Sequence, residues 1–303
     1  VIVSSFEEVD SACGEISLTY FEYSFLAALN IFVQQRVDVI ILEVGLGGRL
    51  DAANVLDPIC SIVTNIGLDH LDYLGETREE IGFEKAAIFR GNGAHSICGD
   101  EDPPESIFNA ITNIQGDLQL IARDFGFVRE STGWIFWSTN GLRMNLAFPL
   151  MQGEHQLVNA SLAIEAATLL KRELPIDAAS IREGLLSAER MGRFQVLPSR
   201  PLFVLDVAHN VDSITRLVNE LSRTRFKGQT RVIFAVMADK QYDEMIDLLN
   251  SVIDQLFVCG LEDARSADPD HVVKKVSGRI GINKVTSCKS VVYAIDKLLE
   301  ISD

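Results

Sequence analysis

The sequence has 303 residues, of which 47% are hydrophobic and 23% charged, a composition that excludes disorder of the whole chain. Its 43 acidic residues outnumber 27 lysines and arginines, and the net charge of −16 argues against binding to nucleic acid or to an anionic membrane surface. Five widely spaced cysteines without a Cys-x-x-Cys pair argue against a disulfide framework and a zinc site. We therefore expect a cytoplasmic globular protein, and the length favours two domains.

The first half of the chain alternates helical and strand patterns. Helical periodicity predicts helices at 19–35, 77–89 and 107–114, and Thr77 and Glu80 stand at capping-box spacing. Short apolar runs predict buried strands of a parallel sheet at 37–44, 59–66 and 118–122. Asn140-Gly141 between alternating apolar residues of 127–148 predicts a hairpin.

The second half continues the alternation. Helices are predicted at 156–172 and 176–186, and the mixed segment 188–200 is the expected connection between domains. Beyond it, strands are predicted at 202–207, 231–236 and 255–259. Helices are predicted at 214–221, 242–252 and 290–301, with one more near His271. The pattern favours an α/β fold whose second domain is an open, Rossmann-like parallel sheet.

Polar residues at the carboxyl ends of parallel strands are the positions where such folds bind ligands. Glu43 follows an apolar run, where a carboxylate is costly unless it is paired or bound to a cation; a salt-bridged turn is the alternative. His70 follows the second predicted strand and is either a hydrogen-bonded structural residue or a metal ligand beside Glu43. Asp206 ends a predicted strand and is either a nucleotide or substrate contact or a buried capping residue.

Six ordered motifs resemble the folylpolyglutamate synthase and dihydrofolate synthase family, a branch of the Mur ligase superfamily. They are Leu18-Thr19-Tyr20-Phe21-Glu22-Tyr23, Leu42-Glu43-Val44-Gly45-Leu46-Gly47-Gly48-Arg49-Leu50-Asp51-Ala52, Gly67-Leu68-Asp69-His70, Glu84-Lys85-Ala86, Gly192-Arg193-Phe194 and Asp206-Val207-Ala208-His209-Asn210. The resemblance spans nearly the whole chain. Ala53, Ala87 and Val211 depart from the residues usual in that family, and none of them replaces a charged ligand.

The resemblance implies two domains. Residues 1–188 correspond to a P-loop-type nucleotide-binding α/β domain, and residues 189–303 correspond to a Rossmann-like glutamate-ligase domain that is incomplete. The family's phosphate loop, GxxxxGK[ST], does not occur in this sequence, and the first residue is Val1 rather than Met. We therefore expect a piece of a longer protein, truncated at both ends and inactive by itself because it lacks the amides and lysine that hold ATP phosphates.

The resemblance also implies an activity, in which ATP phosphorylates a carboxylate of dihydropteroate or a folate and the amine of L-glutamate displaces phosphate. Two Mg²⁺ sites are implied, with Glu43 and His70 as ligands. Lys85 matches the family's carbamylated lysine, although by itself it is equally an exposed helix lysine paired with Glu84. His209 is implied as an assisting catalytic residue.

Ligand contacts follow from the same resemblance. ATP is expected to contact Asn159, Arg193 and Asp206, from both domains. The pterin or folate is expected to contact Thr19, Tyr20, Phe21, Glu22, Leu50, Asp51 and Ala52, although Phe21 is equally plausible as ordinary helix core. The family suggests a monomer. A catalytically inactive fragment is an alternative, and an NAD(P)-dependent oxidoreductase is a weaker one because no GxGxxG occurs.

Overall fold

The computed structural model describes residues 1–301 except 152, 189 and 225. The chain divides into two compact units, called unit 1 (residues 1–147 and 158–181) and unit 2 (residues 148–157 and 182–303). Such units are defined by proximity in space, so the predicted domain boundary between 188 and 189 stays a prediction, and residue 189 lies outside the described residues. Among the described residues, no helix combines the length and hydrophobicity that a membrane-spanning segment requires.

The helices and strands alternate along most of the chain. Up to residue 187 they are α1 (Ile2–Cys13), α2 (Tyr20–Gln35), β1 (Cys60–Val63), α3 (Leu71–Leu74), α4 (Arg78–Ala86), β2 (His95–Cys98), α5 (Glu105–Asn113), β3 (Asp117–Leu120), β4 (Phe125–Arg129), β5 (Trp134–Ser138), β6 (Arg143–Leu146), α6 (Glu154–Leu169) and α7 (Ala178–Ser187). Beyond it they are β7 (Gln195–Leu197), β8 (Phe203–Leu205), α8 (Val211–Thr224), β9 (Arg231–Phe234), α9 (Tyr242–Leu249), β10 (Gln255–Cys259), α10 (Pro269–Ile280), β11 (Val285–Cys288) and α11 (Val291–Glu300).

Unit 1 contains two sheets. The strands β1, β2 and β3 form a parallel sheet in that order, and its core includes Ile81 of α4 and Ile107 of α5, both fully buried. The strands β4, β5 and β6 form an antiparallel sheet, in which Asn140-Gly141 lies in the turn between β5 and β6. Gly141 has a φ of 86°, which favours glycine, so the predicted hairpin is confirmed.

Helix boundaries in unit 1 follow the local sequence signals. Helix α4 begins directly after Thr77, and a complete capping box joins Thr77 to Glu80, as predicted. Helix α2 begins directly after Thr19, which forms a second capping box with Glu22. These reciprocal bonds satisfy amide groups that the first turn of a helix leaves without partners.

The predicted buried strand at 37–44 is wrong. This segment pairs with no strand among the described residues and exposes apolar side chains, with Ile41 91% exposed. Glu43 therefore lies in an irregular, exposed segment instead of at the end of a buried strand. Apolar composition favours a strand, but a strand also requires a hydrogen-bonding neighbour, which composition does not reveal.

Unit 2 contains a parallel sheet with the order β11-β10-β9. Helices α9 and α10 contribute Met245, Ile246, Val272 and Val276 to its core, and all four are fully buried. The predicted strands β9 and β10 are confirmed. Strand β11 is missing from the prediction because two of its four residues, Thr286 and Ser287, are polar and hide the apolar pattern.

The predicted strand at 202–207 is shorter and differently paired than expected. Strand β8 covers only Phe203–Leu205 and pairs antiparallel with β7 in a two-stranded sheet. Leu205 and Val207 are exposed, so this strand is not buried. A two-stranded sheet offers few neighbours to cover apolar side chains. Asp206 therefore follows a partly exposed strand instead of a buried one.

Candidate functional site

A glycine-rich loop of unit 1 packs closely on the last turn of α4. A Cβ atom on Gly48 would lie 2.7 Å from the carbonyl oxygen of Glu84 and 3.1 Å from that of Lys85. The neighbouring Arg49 donates its backbone N–H to the carbonyl oxygen of Glu84 at 2.9 Å, and its Nε pairs with Glu84 Oε1 at 2.9 Å. Because a side chain at residue 48 would clash with backbone, glycine is required to bring this loop beside Lys85.

Asp51 holds the same loop in shape. Its Oδ2 accepts hydrogen bonds from the backbone N–H groups of Gly45 at 2.9 Å and Leu46 at 3.1 Å. Its Oδ1 accepts from Ala53 at 2.8 Å and caps a short 3-10 helix, Ala52–Val55. The carboxylate therefore has a local structural role, and its predicted contact with a pterin stays a prediction.

Lys85 and Asp69 interact electrostatically in unit 1. Lys85 is half-buried, and burial lowers the pKa of its ammonium group, while the negative charge of Asp69 acts in the opposite direction. A lowered pKa increases the fraction of neutral amine, the form that reacts with carbon dioxide. Asp69 was not predicted as a site residue, although it stands in the same motif as His70.

His70 adopts a left-handed backbone conformation, with a φ of 53°, immediately before α3. Its backbone N–H donates to Asp69 Oδ1 at 2.8 Å, and its Nε2 lies 4.0 Å from Asp69 Oδ2. The imidazole is open to solvent, with 45% of the side chain exposed. Asp69 thus bonds the backbone of His70 and also acts on Lys85, so the structure brings together three residues of two separate motifs.

The two predicted Mg²⁺ ligands offer suitable donors. Glu43 and His70 are both exposed, and a carboxylate oxygen and an imidazole nitrogen are ordinary ligands of divalent cations. Within the described part of the chain, no group of three or more His, Cys, Asp or Glu side chains could hold a metal ion. A single carboxylate oxygen and a single imidazole nitrogen fit cation sites in which phosphate oxygens and water supply the other ligands, as is common for Mg²⁺.

The predicted pterin contacts of α2 divide into two groups. Thr19 and Glu22 bond to each other, with Glu22 Oε2 accepting from the backbone N–H and hydroxyl of Thr19 at 2.7 Å each, and these bonds lower the pKa of Glu22. Tyr20 is 87% exposed. Phe21 lies against the loop, since a Cβ atom on Gly45 would be 3.0 Å from its ring.

The structure therefore brings Phe21 into the vicinity of Asp51, the residue that holds Gly45. Leu50 and Ala52 flank Asp51 in sequence, and Leu50 is exposed. Phe21 is itself half exposed and stacks with Phe25, their ring centroids 6.5 Å apart. An exposed aromatic face beside a polar loop is compatible with stacking on a flat ligand.

In unit 2, Asp206 joins two turns. Its Oδ2 accepts from the backbone N–H of Phe194 at 2.8 Å, and its Oδ1 accepts from that of Ala208 at 2.8 Å. The backbone N–H of Val207 donates to the carbonyl oxygen of Gly192 at 2.9 Å. Arg193, which is exposed, lies in the turn that these bonds hold. The structure thus places Arg193 in a turn that Asp206 holds, and the predicted contact of both residues with ATP stays a prediction.

His209 follows in the second of these turns. Its backbone N–H donates to Ser213 Oγ at 3.0 Å, and its Nδ1 lies 2.9 Å from the carbonyl oxygen of Val207. A carbonyl oxygen only accepts, so Nδ1 carries the proton and Nε2 of the neutral ring is left as an acceptor. The exposed imidazole is therefore held in one tautomer with its other nitrogen available.

His155 was not predicted as a site residue, yet it lies among charged groups of unit 2. Burial lowers its pKa, and the positive charges of Arg216 and Arg193 act in the same direction. The negative charges of Glu220 and Asp206 oppose them. The sequence signal for His155 is the segment Gly153-Glu154-His155-Gln156 directly before Asn159. No sequence pattern marks Arg216, which lies in the middle of α8, as a candidate site residue.

The predicted adenine contact Asn159 lies on α6 within unit 1, whereas Arg193 and Asp206 belong to unit 2. Asn159 is exposed on its helix. The three predicted ATP contacts are therefore divided between the units.

Comparison with known proteins supplies the family. The profile of the Mur ligase middle domain matches residues 9–167, and that of the Mur ligase glutamate ligase domain matches residues 192–303. The chain is 37% identical over 271 residues to the dihydrofolate synthase/folylpolyglutamate synthase of Escherichia coli (strain K12). That alignment covers 89% of this chain and 63% of the relative, so the chain spans less than two thirds of the relative's length.

Solved structures also match the fold, including two with bound ligands. Escherichia coli FolC in complex with DHPP and ADP has a TM-score of 0.90 and 35% identity, covering 98% of this chain and 69% of that one. A bifunctional folylpolyglutamate synthase/dihydrofolate synthase with Mn, AMPPNP and L-glutamate bound has a TM-score of 0.88 and 34% identity, covering 100% of this chain and 70% of that one. With two Mur ligase domains matched in order and these relatives aligned over most of its residues, the chain belongs to the dihydrofolate synthase/folylpolyglutamate synthase family of the Mur ligases.

Proposed function

We propose that the protein containing this chain is an ATP-dependent ligase that adds L-glutamate to dihydropteroate, to folates or to both. One observation carries the proposal: the fold matches, over nearly all of this chain, an enzyme bound to DHPP and ADP. The second matching structure holds L-glutamate and AMPPNP, the other reactants that such a ligase requires. A monomer is proposed on the family resemblance alone.

The proposed reaction has two steps. A carboxylate oxygen of the pterin substrate attacks the terminal phosphorus of ATP, which releases ADP and forms an acyl phosphate. The amine nitrogen of L-glutamate then attacks the carbonyl carbon, which forms the amide bond and releases phosphate. All three reactants are anionic, so the protein has to offset charge repulsion while it aligns them.

Glu43 and His70 would each contribute to a Mg²⁺ site, and their exposed oxygen and nitrogen donors support this assignment. Bound Mg²⁺ would supply charge neutralisation at the phosphate oxygens. Asp69 accepts from the backbone N–H of His70 at 2.8 Å, and its carboxylate lies 4.0 Å from the imidazole Nε2.

The nucleotide is proposed to contact Asn159, Arg193 and Asp206. The amide of Asn159 can donate to and accept from an adenine edge, and the exposed guanidinium of Arg193 suits a phosphate. Asp206 keeps Arg193 in place by binding the backbone of Phe194 at 2.8 Å. We also propose a P-loop-type domain at 1–188 and a Rossmann-like glutamate-ligase domain at 189–303.

The pterin is proposed to bind at the start of α2 and at the loop that ends at Ala52. Tyr20 and Phe21 present exposed rings, and Phe21 lies against Gly45 of the loop. Leu50 adds an exposed apolar side chain. Thr19, Glu22 and Asp51 support this surface, since their own hydrogen bonds hold the start of the helix and the loop in shape.

Lys85 is proposed to act as a carbamate, with His209 assisting near the nucleotide. Half-burial of Lys85 lowers its pKa and favours the neutral amine that adds to carbon dioxide. Nζ forms the new bond to carbon and releases one proton, and the product is an anion that can hold a cation or orient phosphate. We expect Lys85→Arg, which keeps the positive charge, to be as inactive as Lys85→Ala.

Ligase activity tests the whole proposal. The measurement is ADP release with ATP, Mg²⁺, a pteroate or folate substrate and L-glutamate, using the protein that contains this chain. ADP release should require both acceptor and glutamate, and the product should gain one glutamyl residue. Activity without glutamate, or an unchanged pterin, would refute the ligase. Arg193→Ala should raise KM for ATP, whereas the exposed Arg182→Ala on α7 is the matched control.

Acetate tests the carbamate separately. A small carboxylic acid should partly restore Lys85→Ala by supplying the missing anion, and it should not affect the wild type. An active Lys85→Arg variant would refute the carbamate while leaving the ligase proposal intact.

A further inference from the structure

Two cysteines of unit 2 lie directly opposite each other in neighbouring strands. Cys259 is the last residue of β10, and Cys288 is the last residue of β11. The parallel register pairs them as Cα partners, so their side chains lie on the same face of the sheet. They are 1% and 2% exposed and belong to one apolar cluster with Phe257, Ala294 and Leu298.

This placement suits a covalent link between the two sulfur atoms. Adjacent strands of a sheet lie about 4.8 Å apart, and disulfides join Cα atoms separated by about 4.4–6.8 Å. The Sγ of Cys259 donates to the carbonyl oxygen of Phe257 at 4.0 Å, and the neighbouring Cys288 contributes to the raised pKa of Cys259. To form the disulfide, the two sulfur atoms would therefore have to approach each other, but strands β10 and β11 would not have to move.

The other cysteines do not share this geometry. Cys60 stands opposite His95, and Cys98 stands opposite Val63. Cys13 lies at the end of α1. All five are free thiols. Within the described strands, Cys259 and Cys288 are the one pair of cysteines in register.

We propose that Cys259 and Cys288 form a dithiol site that a small peroxide converts into an intramolecular disulfide between the ends of β10 and β11. The thiolate of one cysteine attacks an oxygen of the peroxide, breaks the O–O bond and becomes a sulfenic acid. The second thiol attacks that sulfur, forms the S–S bond and expels water. In total, two thiols lose two electrons and two protons, and hydrogen peroxide is reduced to two molecules of water.

The surroundings make this oxidation slow at neutral pH. Burial, with the nearby Cys288, raises the pKa of Cys259 to about 11. Since the thiolate is the reactive form, only about one thiol in ten thousand is reactive at pH 7. At pH values below that pKa, each increase of one pH unit should raise the oxidation rate about tenfold. A small oxidant is required because both sulfur atoms are buried.

Peptide mapping of the oxidised chain tests the proposal. The wild-type chain is treated with hydrogen peroxide at several pH values, blocked with iodoacetamide, digested without reductant and analysed by mass spectrometry. We expect a linked peptide pair containing Cys259 and Cys288, formed about tenfold faster per pH unit and lost after treatment with dithiothreitol. Linkage of either cysteine to Cys13, Cys60 or Cys98 instead would overturn the assignment.

A single substitution supplies the matched control. Cys288→Ser keeps a hydroxyl of similar size at the same strand end, so Cys259 stays in its surroundings without a second thiol. This variant should give no linked pair, and Cys259 should proceed to the sulfinic acid. If wild-type Cys259 also accumulates sulfinic acid and forms no link, the two thiols do not act as a pair and the proposal is wrong.

Discussion

Replacement of Glu165 by glutamine is expected to stabilise unit 1 at neutral pH. Glu165 lies on α6 with no exposed surface. Its Oε1 accepts long hydrogen bonds from Ser138 Oγ at 3.3 Å and Asn140 Nδ2 at 3.4 Å. Its Oε2 is buried and has no hydrogen-bond partner in the described part of the chain. An ionised carboxylate at this position therefore lacks solvent, and no ion pair with a described residue offsets its charge.

The size of the effect follows from these contacts. A buried polar atom without a partner costs about 1–3 kcal/mol, and both glutamate and glutamine carry such an atom at residue 165. The difference between the two proteins therefore comes from ionisation of the wild-type carboxylate. Burial raises the pKa of Glu165, and the charge of Asp124 raises it further, while the bonds from Ser138 and Asn140 oppose the change. The folded protein therefore retains the proton to higher pH than the unfolded chain does.

Because the pKa of Glu165 is higher in the folded protein than in the unfolded chain, stability should fall as the pH rises. Below the ordinary carboxyl pKa, Glu165 is protonated in both the folded and the unfolded protein, and it destabilises the folded protein least. As the pH rises, the unfolded chain loses its proton first, so the free energy of unfolding falls by up to about 1.4 kcal/mol per pH unit until the raised pKa is passed. Glutamine does not titrate, so Glu165→Gln should be close to wild type at low pH and more stable at neutral pH, by about 1.4 kcal/mol for each unit by which burial raises the pKa of Glu165.

Tryptophan fluorescence during urea unfolding provides the assay. The protein has two tryptophans, and both Trp134 and Trp137 lie on β5, the strand that carries Ser138. The signal therefore reports the part of unit 1 that surrounds Glu165. The same change at Glu101, which is exposed in unit 1, is the control and should leave stability unchanged. A difference between wild type and Glu165→Gln that is independent of pH would refute the reasoning.

Two further substitutions test packing in unit 1. Gly48→Ala places a Cβ atom 2.7 Å from the backbone oxygen of Glu84. This variant should be less stable by about 1–3 kcal/mol, measured by urea unfolding. Unchanged stability would mean that the loop does not need this close approach. Phe136→Ala removes a fully buried ring. The free energy of unfolding should fall by about 3–5 kcal/mol, seen as a lower Tm by circular dichroism. A fall of less than about 1 kcal/mol would contradict the place of Phe136 in the core.

Several helices and strands could be predicted from the sequence because their signals are local. Thr77 and Glu80 define the start of α4 through bonds within one turn. Asn140-Gly141 defines the turn between β5 and β6, since few residues other than glycine adopt its positive φ. The motifs around Glu43, Lys85 and Asp206 likewise indicated the family, because a long ordered set of residue types rarely arises by chance.

The pairing and burial of strands could not be predicted in the same way. Segment 37–44 and strand β11 show the two kinds of error. The first is apolar yet unpaired and exposed, while the second contains Thr286 and Ser287 yet pairs with β10. Hydrogen-bonding partners of a strand come from distant parts of the chain, so its own composition does not identify them.

The sequence by itself determined several helices and strands, the cap at Thr77, the turn at Asn140-Gly141 and the choice of candidate site residues. The tertiary structure decided which of these residues meet. It placed Asp69 near Lys85, His155 among the charges of Arg193 and Arg216, and Cys259 opposite Cys288. Contacts of this kind depend on the register and packing of segments far apart in sequence, and burial then sets the pKa of each group, which no local pattern records.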